Sequence, residues 1–442
     1  MKVIIIGGDA GGMSAAMQIV RNQPDAEITV LEKGAHYSYA QCGLPYVVSG
    51  DIESTDNLVA RKRETFVSKY GINATEYHEV TSVDTENKKV YGKQVKTGED
   101  FEYEYDKLLI ATGASPIVPK WEGIELDGIY PLKTIVDTHT VMENMDGVEN
   151  VTIIGGGYIG LEMAESFVKL DKKVTIIEMA PQLGTTFDSD MAEYISEEAK
   201  RHNIEVKLSE KVTGFEGNGK VSKVKTDKGT YDSDLVLVSI GVRPNTRFLA
   251  ETNIVLGPKG EIKVNAYMET NVKDVYAAGD CASQYHRIKE KDDHIPLGTN
   301  ANKQGVIAGS NMSGVTKIFK GIVGSSVVKF MDLGLARTGL SEREAEDLGL
   351  PFASIKTDAR DKAHYYPDSK PIHVKLIYNK DSRKLLGAQA IGENGAEKRI
   401  DVIATALFNE MSIEDLMDLD LTYAPPFNSV WDPVQQAARK AK

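Results

Sequence analysis

Twice in this chain a short apolar run enters a glycine-rich loop, leaves it as a helical stretch and returns as a second apolar run ending in glutamate. The first copy starts with Lys2–Ile6 and continues through Gly7, Gly8, Asp9, Ala10, Gly11 and Gly12. Helix-forming residues Met13–Val20 follow, then Glu27–Leu31, closed by Glu32 and Lys33. The second starts at Val151–Ile154 and passes through Gly155, Gly156, Gly157, Tyr158, Ile159 and Gly160. Leu161–Lys169 reads as its helix, and Lys173–Ile177 as the strand that ends in Glu178. Apolar runs of this length suit strands buried on both faces of a parallel sheet. Glycines permit the tight turn and the close approach of helix to strand. The helix N-terminus faces a pyrophosphate, and the terminal acid takes ribose hydroxyls. The second copy carries a complete G-x-G-x-x-G, with its acid 18 residues after Gly160. In the first copy Asp9 stands where the middle glycine belongs. Two such units imply an α/β chain that holds two dinucleotides. Glu178 favours the free 2′-hydroxyl of NADH, while Lys172 and Lys173 leave NADPH open.

Further strand ends punctuate the chain. Tyr105–Ile110 runs into Ala111, Thr112 and Gly113; Leu235–Ile240 runs into Gly241; Asp274–Ala278 runs into Gly279 and the carboxylate of Asp280. Beyond residue 317 the pattern changes. Val327–Leu333, Ile372–Tyr378 and Leu385–Ile391 read as strands, with a hairpin turn at Asp381–Lys384. Helical patterns follow at Ala396–Asn409 and Ile413–Asp418, and the proline-rich Leu421–Phe427 cannot be helix. This region carries no nucleotide signature and is expected to form a separate α+β domain.

At 442 residues, two or three domains are expected. No apolar run approaches a membrane span, and Met1–Ile6 enters a glycine turn as a strand, not a signal peptide. The net charge of −13 argues against nucleic-acid binding. Two cysteines cannot build a disulfide framework, which points to a cytoplasmic setting. No metal is expected. One of these cysteines, Cys42, lies in Ser38–Tyr46, among glycine and proline just past the first nucleotide unit. A helix starting around Gly43–Pro45 is expected to lower its thiol pKa. Cys281, beside Asp280, reads as a buried structural thiol.

Together these residues resemble the flavoprotein disulfide reductases, over essentially the whole chain. The resemblance implies an FAD domain built from residues 1–115 and 250–323, an NAD(P)H domain at 116–249 and a homodimerising domain at 324–442. It places Gly7, Gly8, Asp9, Ala10, Gly11, Gly12, Glu32, Lys33, Val80, Ala111, Thr112, Gly113, Gly279 and Asp280 at FAD, with Asp280 on the ribityl chain. It places Gly155, Gly157, Tyr158, Ile159, Gly160, Glu178 and Gly241 at NAD(P)H. The two-cysteine members would have a second cysteine at Val47 and a C-terminal His-Pro segment; both are missing here. That resembles the single-cysteine branch, which includes coenzyme A-disulfide reductases, NADH oxidases, NADH peroxidases and persulfide reductases. Oxidases and peroxidases of that branch carry a histidine where this chain has Ala10.

By resemblance to the coenzyme A-disulfide reductases, Cys42 forms a mixed disulfide with CoA, and Tyr423 and Tyr365 reach it from the partner subunit of a homodimer. Ser14, Gln18, Arg21, Ser38, Gln41 and Lys69 would contact CoA, with Arg61, Lys62 and Arg63 as further basic candidates. Asn302 and Trp431 stand where some relatives have His and Lys. The implied activity is NAD(P)H-dependent reduction of CoA disulfide or a related small disulfide. Persulfide or polysulfide reduction uses the same cysteine, often with a fused rhodanese domain for which 442 residues leave no room. An oxidase or peroxidase is opposed by Ala10, and a flavin-bound redox sensor by the retained NAD(P)H loop and reactive turn.

Overall fold

The computed structural model describes residues 1–441. Each glycine-loop unit forms its own five-stranded parallel sheet. The first is ordered Val275–Ala277, Lys107–Ile110, Lys2–Ile6, Glu27–Leu31, Asn73–Thr75. The second is ordered Glu205–Leu208, Lys173–Glu178, Asn150–Ile154, Leu235–Val238, Ile129–Pro131. In both, alternate residues of the first strand supply two cores. Val3 and Ile5 pack with Met13, Ala15 and Ile19 of the first helix, whereas Ile4 and Ile6 pack with Val80, Val83 and Val90 on the other side. Period-2 burial on both faces is what leaves such strands apolar throughout. The second face in each unit is covered by a three-stranded antiparallel sheet: His78–Asp84, Lys89–Gln94 and Asp100–Glu104 in one, Val212–Asn218, Lys220–Thr226 and Thr230–Asp232 in the other.

The chain leaves the first unit through Gly113 and returns through Gly241, both at positive φ. The strands that follow them, Ala114–Pro116 and Val242–Pro244, pair antiparallel and make a two-stranded crossing. Asn245 clamps it, donating to the Thr112 carbonyl at 2.9 Å and accepting from Ser115 Oγ at 2.7 Å.

The C-terminal unit is a five-stranded antiparallel sheet with helices Ala396–Phe408, Ile413–Met417 and Pro433–Ala438 against it. The single strand expected at Val327–Leu333 is instead a hairpin. Ser326–Phe330 turns at Met331, whose φ is +54°, and Leu333–Gly339 returns beside it. The apolar run hides this turn because apolar residues flank it on both sides, Val328 and Phe330 before it and Leu333 and Leu335 after it. No helix among the described residues is long and apolar enough to cross a membrane.

Candidate redox site at Cys42

The two loops are built alike to the atom. Glu32 accepts from the Gly8 and Gly34 N–H groups, both at 2.8 Å. Glu178 accepts from the Gly156 and Ala180 N–H groups, both at 2.7 Å. A Cβ on Gly12 would lie 1.9 Å from the Gly7 carbonyl oxygen, and one on Gly160 would lie 2.0 Å from that of Gly155, so only glycine brings helix and strand this close. The helices Ala10–Asn22 and Tyr158–Lys169 have no side-chain cap and no acid in their first turn. Their N-terminal N–H groups therefore face outward as an anion site, which fits a pyrophosphate. Lys173 begins the strand that Glu178 ends, about 16 Å away at ~3.3 Å per residue, and Lys172 precedes it. Lys172 donates to the Val148 carbonyl and Lys173 sits 4.0 Å from Glu149. Both contacts lie at the end of the strand away from Glu178.

Asp9, the departure from the loop pattern, holds the reactive turn. Its carboxylate accepts from the Tyr39 N–H at 3.1 Å and from the Gln41 side chain at 2.8 Å. Burial, with the charge of Glu32, raises its pKa to about 6. The Ser38 N–H donates to the Gly8 carbonyl at 3.0 Å, and Ser38 itself takes a left-handed φ of 48°. Cys42 then lies in a single 3-10 turn, Gln41–Gly43, directly before the helix Leu44–Val48. Leu44, Val47 and Val48 are buried in the core of the second unit with Val151, Leu161 and Phe167. Ser166 Oγ donates to the Pro45 carbonyl at 2.9 Å. Cys42 thus sits where the first unit hands the chain to the second.

The thiol pKa is not lowered, contrary to expectation. Burial pushes it up, Glu162 adds to this, Lys133 opposes it, and Asp280 and Asp9 raise it again. One side of the residue is open to solvent, but the protein behind the sulfur is dense and carries more acids than bases. The helix that follows has only five residues, too short a dipole to reverse this. Glu162 is itself raised to about 7 by burial and by Glu165. Lys133, unremarked in the sequence because nothing around it forms a motif, pairs with Asp280 at 3.1 Å.

Tyr365 and Tyr423 come together, their hydroxyls 3.1 Å apart on the C-terminal unit, and both are exposed. They border a groove with Asp358, Arg360, His364 and Ser429. Tyr158 turns its hydroxyl to Ser326 of the same unit at 2.7 Å. Ser14 donates to Asn302 at 2.8 Å, Gln18 lies between Asn22 and Arg21, and Lys69 is exposed beside the Tyr70 ring. Arg61 covers the rings of Phe66 and Tyr70. Cys281 is fully buried, donating to the Ile110 and Ala278 carbonyls at 3.4 Å each, so the structural reading of that thiol stands.

Comparison with known proteins decides the family. A model described as pyridine nucleotide-disulphide oxidoreductase matches residues 1–305, and one described as the dimerisation domain of the same family matches residues 325–434. The chain belongs to the pyridine nucleotide-disulphide oxidoreductases. This family uses FAD and NAD(P)H, and the present member is an enzyme with a dimerisation domain. It is 40% identical over 443 residues to a CoA-dependent NAD(P)H sulfur oxidoreductase of Pyrococcus abyssi, covering 100% of this chain and 98% of that one. It is 32% identical over 445 residues to a coenzyme A disulfide reductase of Staphylococcus aureus, covering 100% of both. Among solved structures, an NAD-dependent persulfide reductase from A. fulgidus superposes with a TM-score of 0.97 at 35% identity, over 99% of this chain and 82% of that one. The Pyrococcus oxidoreductase has nearly the length of this chain, so length does not separate sulfur reduction from disulfide reduction within the family.

Proposed function

We propose that this protein reduces CoA disulfide with NAD(P)H through Cys42, giving two CoA thiols and NAD(P)+ for each disulfide, NAD(P)H and proton consumed. One observation carries the reading: Cys42 has no cysteine to pair with. Val47 is an apolar core residue, and Cys281 is enclosed among Ile110, Val275 and Ala277. The lack of a partner for Cys42 within the chain supports a small molecule as the source of the second sulfur of a disulfide at Cys42.

The outward N–H groups of the first helix, with Glu32 and Asp280, would hold the pyrophosphate, ribose and ribityl groups of FAD. The helix Tyr158–Lys169 and Glu178 would hold NAD(P)H in the same manner. Bound there, the flavin supplies a two-electron relay between nicotinamide and sulfur. The chain's own work is at Cys42. Its thiolate attacks one sulfur of CoA disulfide, forming the Cys42–CoA mixed disulfide and releasing one CoA thiolate, which takes a proton. Two electrons and a second proton then return the Cys42 thiolate and release the second CoA thiol. Tyr423 and Tyr365 of the partner subunit would donate to the sulfur anion and protonate the departing thiolate. Their exposed hydroxyl pair, on the unit matched by the dimerisation family, supports this role.

Reduction of a CoA persulfide or polysulfide is the second reading, favoured by the name of a Pyrococcus horikoshii relative 39% identical over 444 residues, an NAD(P)H coenzyme A polysulfide/persulfide reductase. Intact-protein mass spectrometry before and after dithiothreitol tests the first. A CoA-sized adduct that dithiothreitol removes, absent in Cys42→Ser, is expected. An adduct of one oxygen alone would sink it. Steady-state turnover of CoA disulfide against CoA persulfide then ranks the two substrates.

A further inference from the structure

We propose that Glu198, His202 and Asp332 form a binding site for a divalent cation of the zinc class, one that ties the second unit to the C-terminal sheet. None of the three belongs to a nucleotide loop or to the Cys42 turn. Glu198 and His202 stand one turn apart at the end of the helix Ser189–Arg201, so both side chains leave the same face. Asp332 comes from the other unit, in the hairpin turn that follows Met331. That turn is held by two acids of the second unit. The Met331 N–H donates to Glu165 at 2.8 Å, and the Asp332 N–H donates to Glu198 at 2.8 Å. Asp332 is thereby brought to the helix end, and one ligand atom from each of the three residues lies within 4.8 Å of the other two.

The spacing fits a metal better than it fits hydrogen bonds. His202 Nε2 lies 3.3 Å from Glu198 Oε1 and 3.2 Å from Asp332 Oδ2. A charge-assisted N–H···O bond closes to about 2.7–2.9 Å, and a single ring nitrogen carries one proton for these two acceptors. Zinc bonds of about 2.0–2.1 Å in a tetrahedron set neighbouring ligand atoms about 3.3–3.4 Å apart. His202 therefore sits at that edge length from both carboxylates. Arg201 grips the same acids, with Nε 2.9 Å from Glu198 Oε2 and Nη2 2.7 Å from Asp332 Oδ2. It offers no lone pair, and a carboxylate has about four lone-pair sites, so Arg201 orients the acids without using them up. Glu198 is enclosed, with 4% of its side chain exposed, while His202 and Asp332 are open at 26% and 53%. Glu198 also lines a cavity of about 210 Å³ with Tyr194, Arg201, His373 and Glu393. Water has room there to complete the coordination, at about 30 Å³ a molecule. Four carboxylates gather here, Glu197, Glu198, Asp332 and Glu393, against Arg201 and against Lys370, which pairs with Glu393 at 3.1 Å. A divalent cation offsets that excess. One imidazole with two carboxylates suits zinc, whereas magnesium and calcium prefer oxygen alone.

The test uses FAD-loaded protein carrying Cys42→Ser in every arm, because a thiolate binds zinc by itself. Protein stripped with EDTA is dialysed against micromolar zinc chloride in a large excess of magnesium chloride, and the metal is counted by elemental mass spectrometry. One zinc per subunit is expected, with a higher melting temperature when zinc is present. His202→Ala is expected to lose both effects. Asp332→Asn should bind at least about tenfold more weakly, since loss of even an outer partner of a ligand costs that much. Retained flavin shows that a variant is folded, and His202→Gln, which keeps a donor for the acids, replaces His202→Ala if that variant loses its flavin. No zinc above background overturns the proposal and leaves the cluster an Arg201 ion pair. So does equal zinc in the parent and the His202 variant.

Discussion

Asp9 accepts a 2.8 Å hydrogen bond from the side chain of Gln41, across a gap of 32 residues. The contact joins the nucleotide loop of the first unit to the turn that carries Cys42. A glycine at position 9, the residue the loop pattern calls for, would leave the turn without this strut. It also gives Gln41, read from the resemblance as a CoA contact, a second task in positioning the turn.

The Asp9 carboxylate costs folding energy when ionised, because burial and Glu32 disfavour its charge. Its folded-state pKa of about 6 lies above the unfolded value of about 4, so the folded state holds the proton more tightly. The penalty is absent below about pH 4 and complete above about pH 6. Asp9→Asn keeps an acceptor for the Tyr39 N–H, and a flipped Gln41 amide can meet its other end. We expect this variant to raise the melting temperature of the flavin-free protein at pH 8 and to leave it unchanged near pH 4. Equal shifts at both pH values would refute the charge argument.

Much of this architecture is legible in the sequence because glycine loops and strand-end acids are local signals. Glu32 and Glu178 each follow an apolar run at fixed spacing, and each accepts from a loop glycine N–H and from the N–H two residues on. What stayed hidden depends on contacts distant in sequence. Lys133 meets Asp280 across 147 residues and belongs to no motif. The hairpin at Met331 hides because apolar residues flank it on both sides. The upward shift of the Cys42 thiol is not legible in the sequence because the five-residue helix is a local feature, whereas Glu162 and Asp280 are distant in sequence.

If Glu178 takes the nucleotide ribose, as the loop pattern implies, its charge bears on the choice of nucleotide. Its carboxylate is fixed by two backbone N–H groups, and the nearby lysines are turned elsewhere. A 2′-phosphate would meet that charge, and Lys172 and Lys173 are engaged elsewhere. We expect kcat/KM to favour NADH over NADPH by roughly tenfold or more, which needs only about 1.4 kcal/mol of discrimination. Glu178→Gln removes the charge and keeps one of the two backbone acceptors, and it should narrow the ratio chiefly through the KM for NADPH. A ratio near one in the wild type would overturn the assignment.

Lys375 is the most enclosed cation joining the second unit to the C-terminal sheet. Its ammonium lies 3.1 Å from Asp188, 2.7 Å from Asp190 and 3.0 Å from Glu342, with 3% of the side chain exposed. Asp188 also binds the Gln389 amide at 2.7 Å. Lys375→Met leaves these acids facing one another without a counter-charge. Removing one partner of a buried pair typically costs about 3–5 kcal/mol, and a loss of that size is expected in the denaturant midpoint. A loss under about 1 kcal/mol, the range of surface pairs, would show that water reaches the cluster.

The hydroxyls of Tyr365 and Tyr423 act as one unit if their 3.1 Å contact orients a single donor. That hydrogen bond also raises the Tyr423 phenol above its ordinary pKa. Tyr423→Phe is expected to lower kcat about 100-fold, the lower end for loss of a positioned proton donor. Tyr365→Phe should cost less, and the double variant less than the product of the two, because the first substitution already breaks the pair. Where the pair acts is settled by mixing. If each site joins Cys42 of one subunit to Tyr423 of its partner, Cys42→Ser and Tyr423→Phe homodimers are each crippled, while a heterodimer of the two keeps one intact site. Random reassortment of equal amounts should then restore about a quarter of wild-type turnover, since half of the dimers are mixed and each has one good site of two. No recovery, with subunit exchange confirmed by native mass spectrometry, would place the tyrosines away from the partner's sulfur.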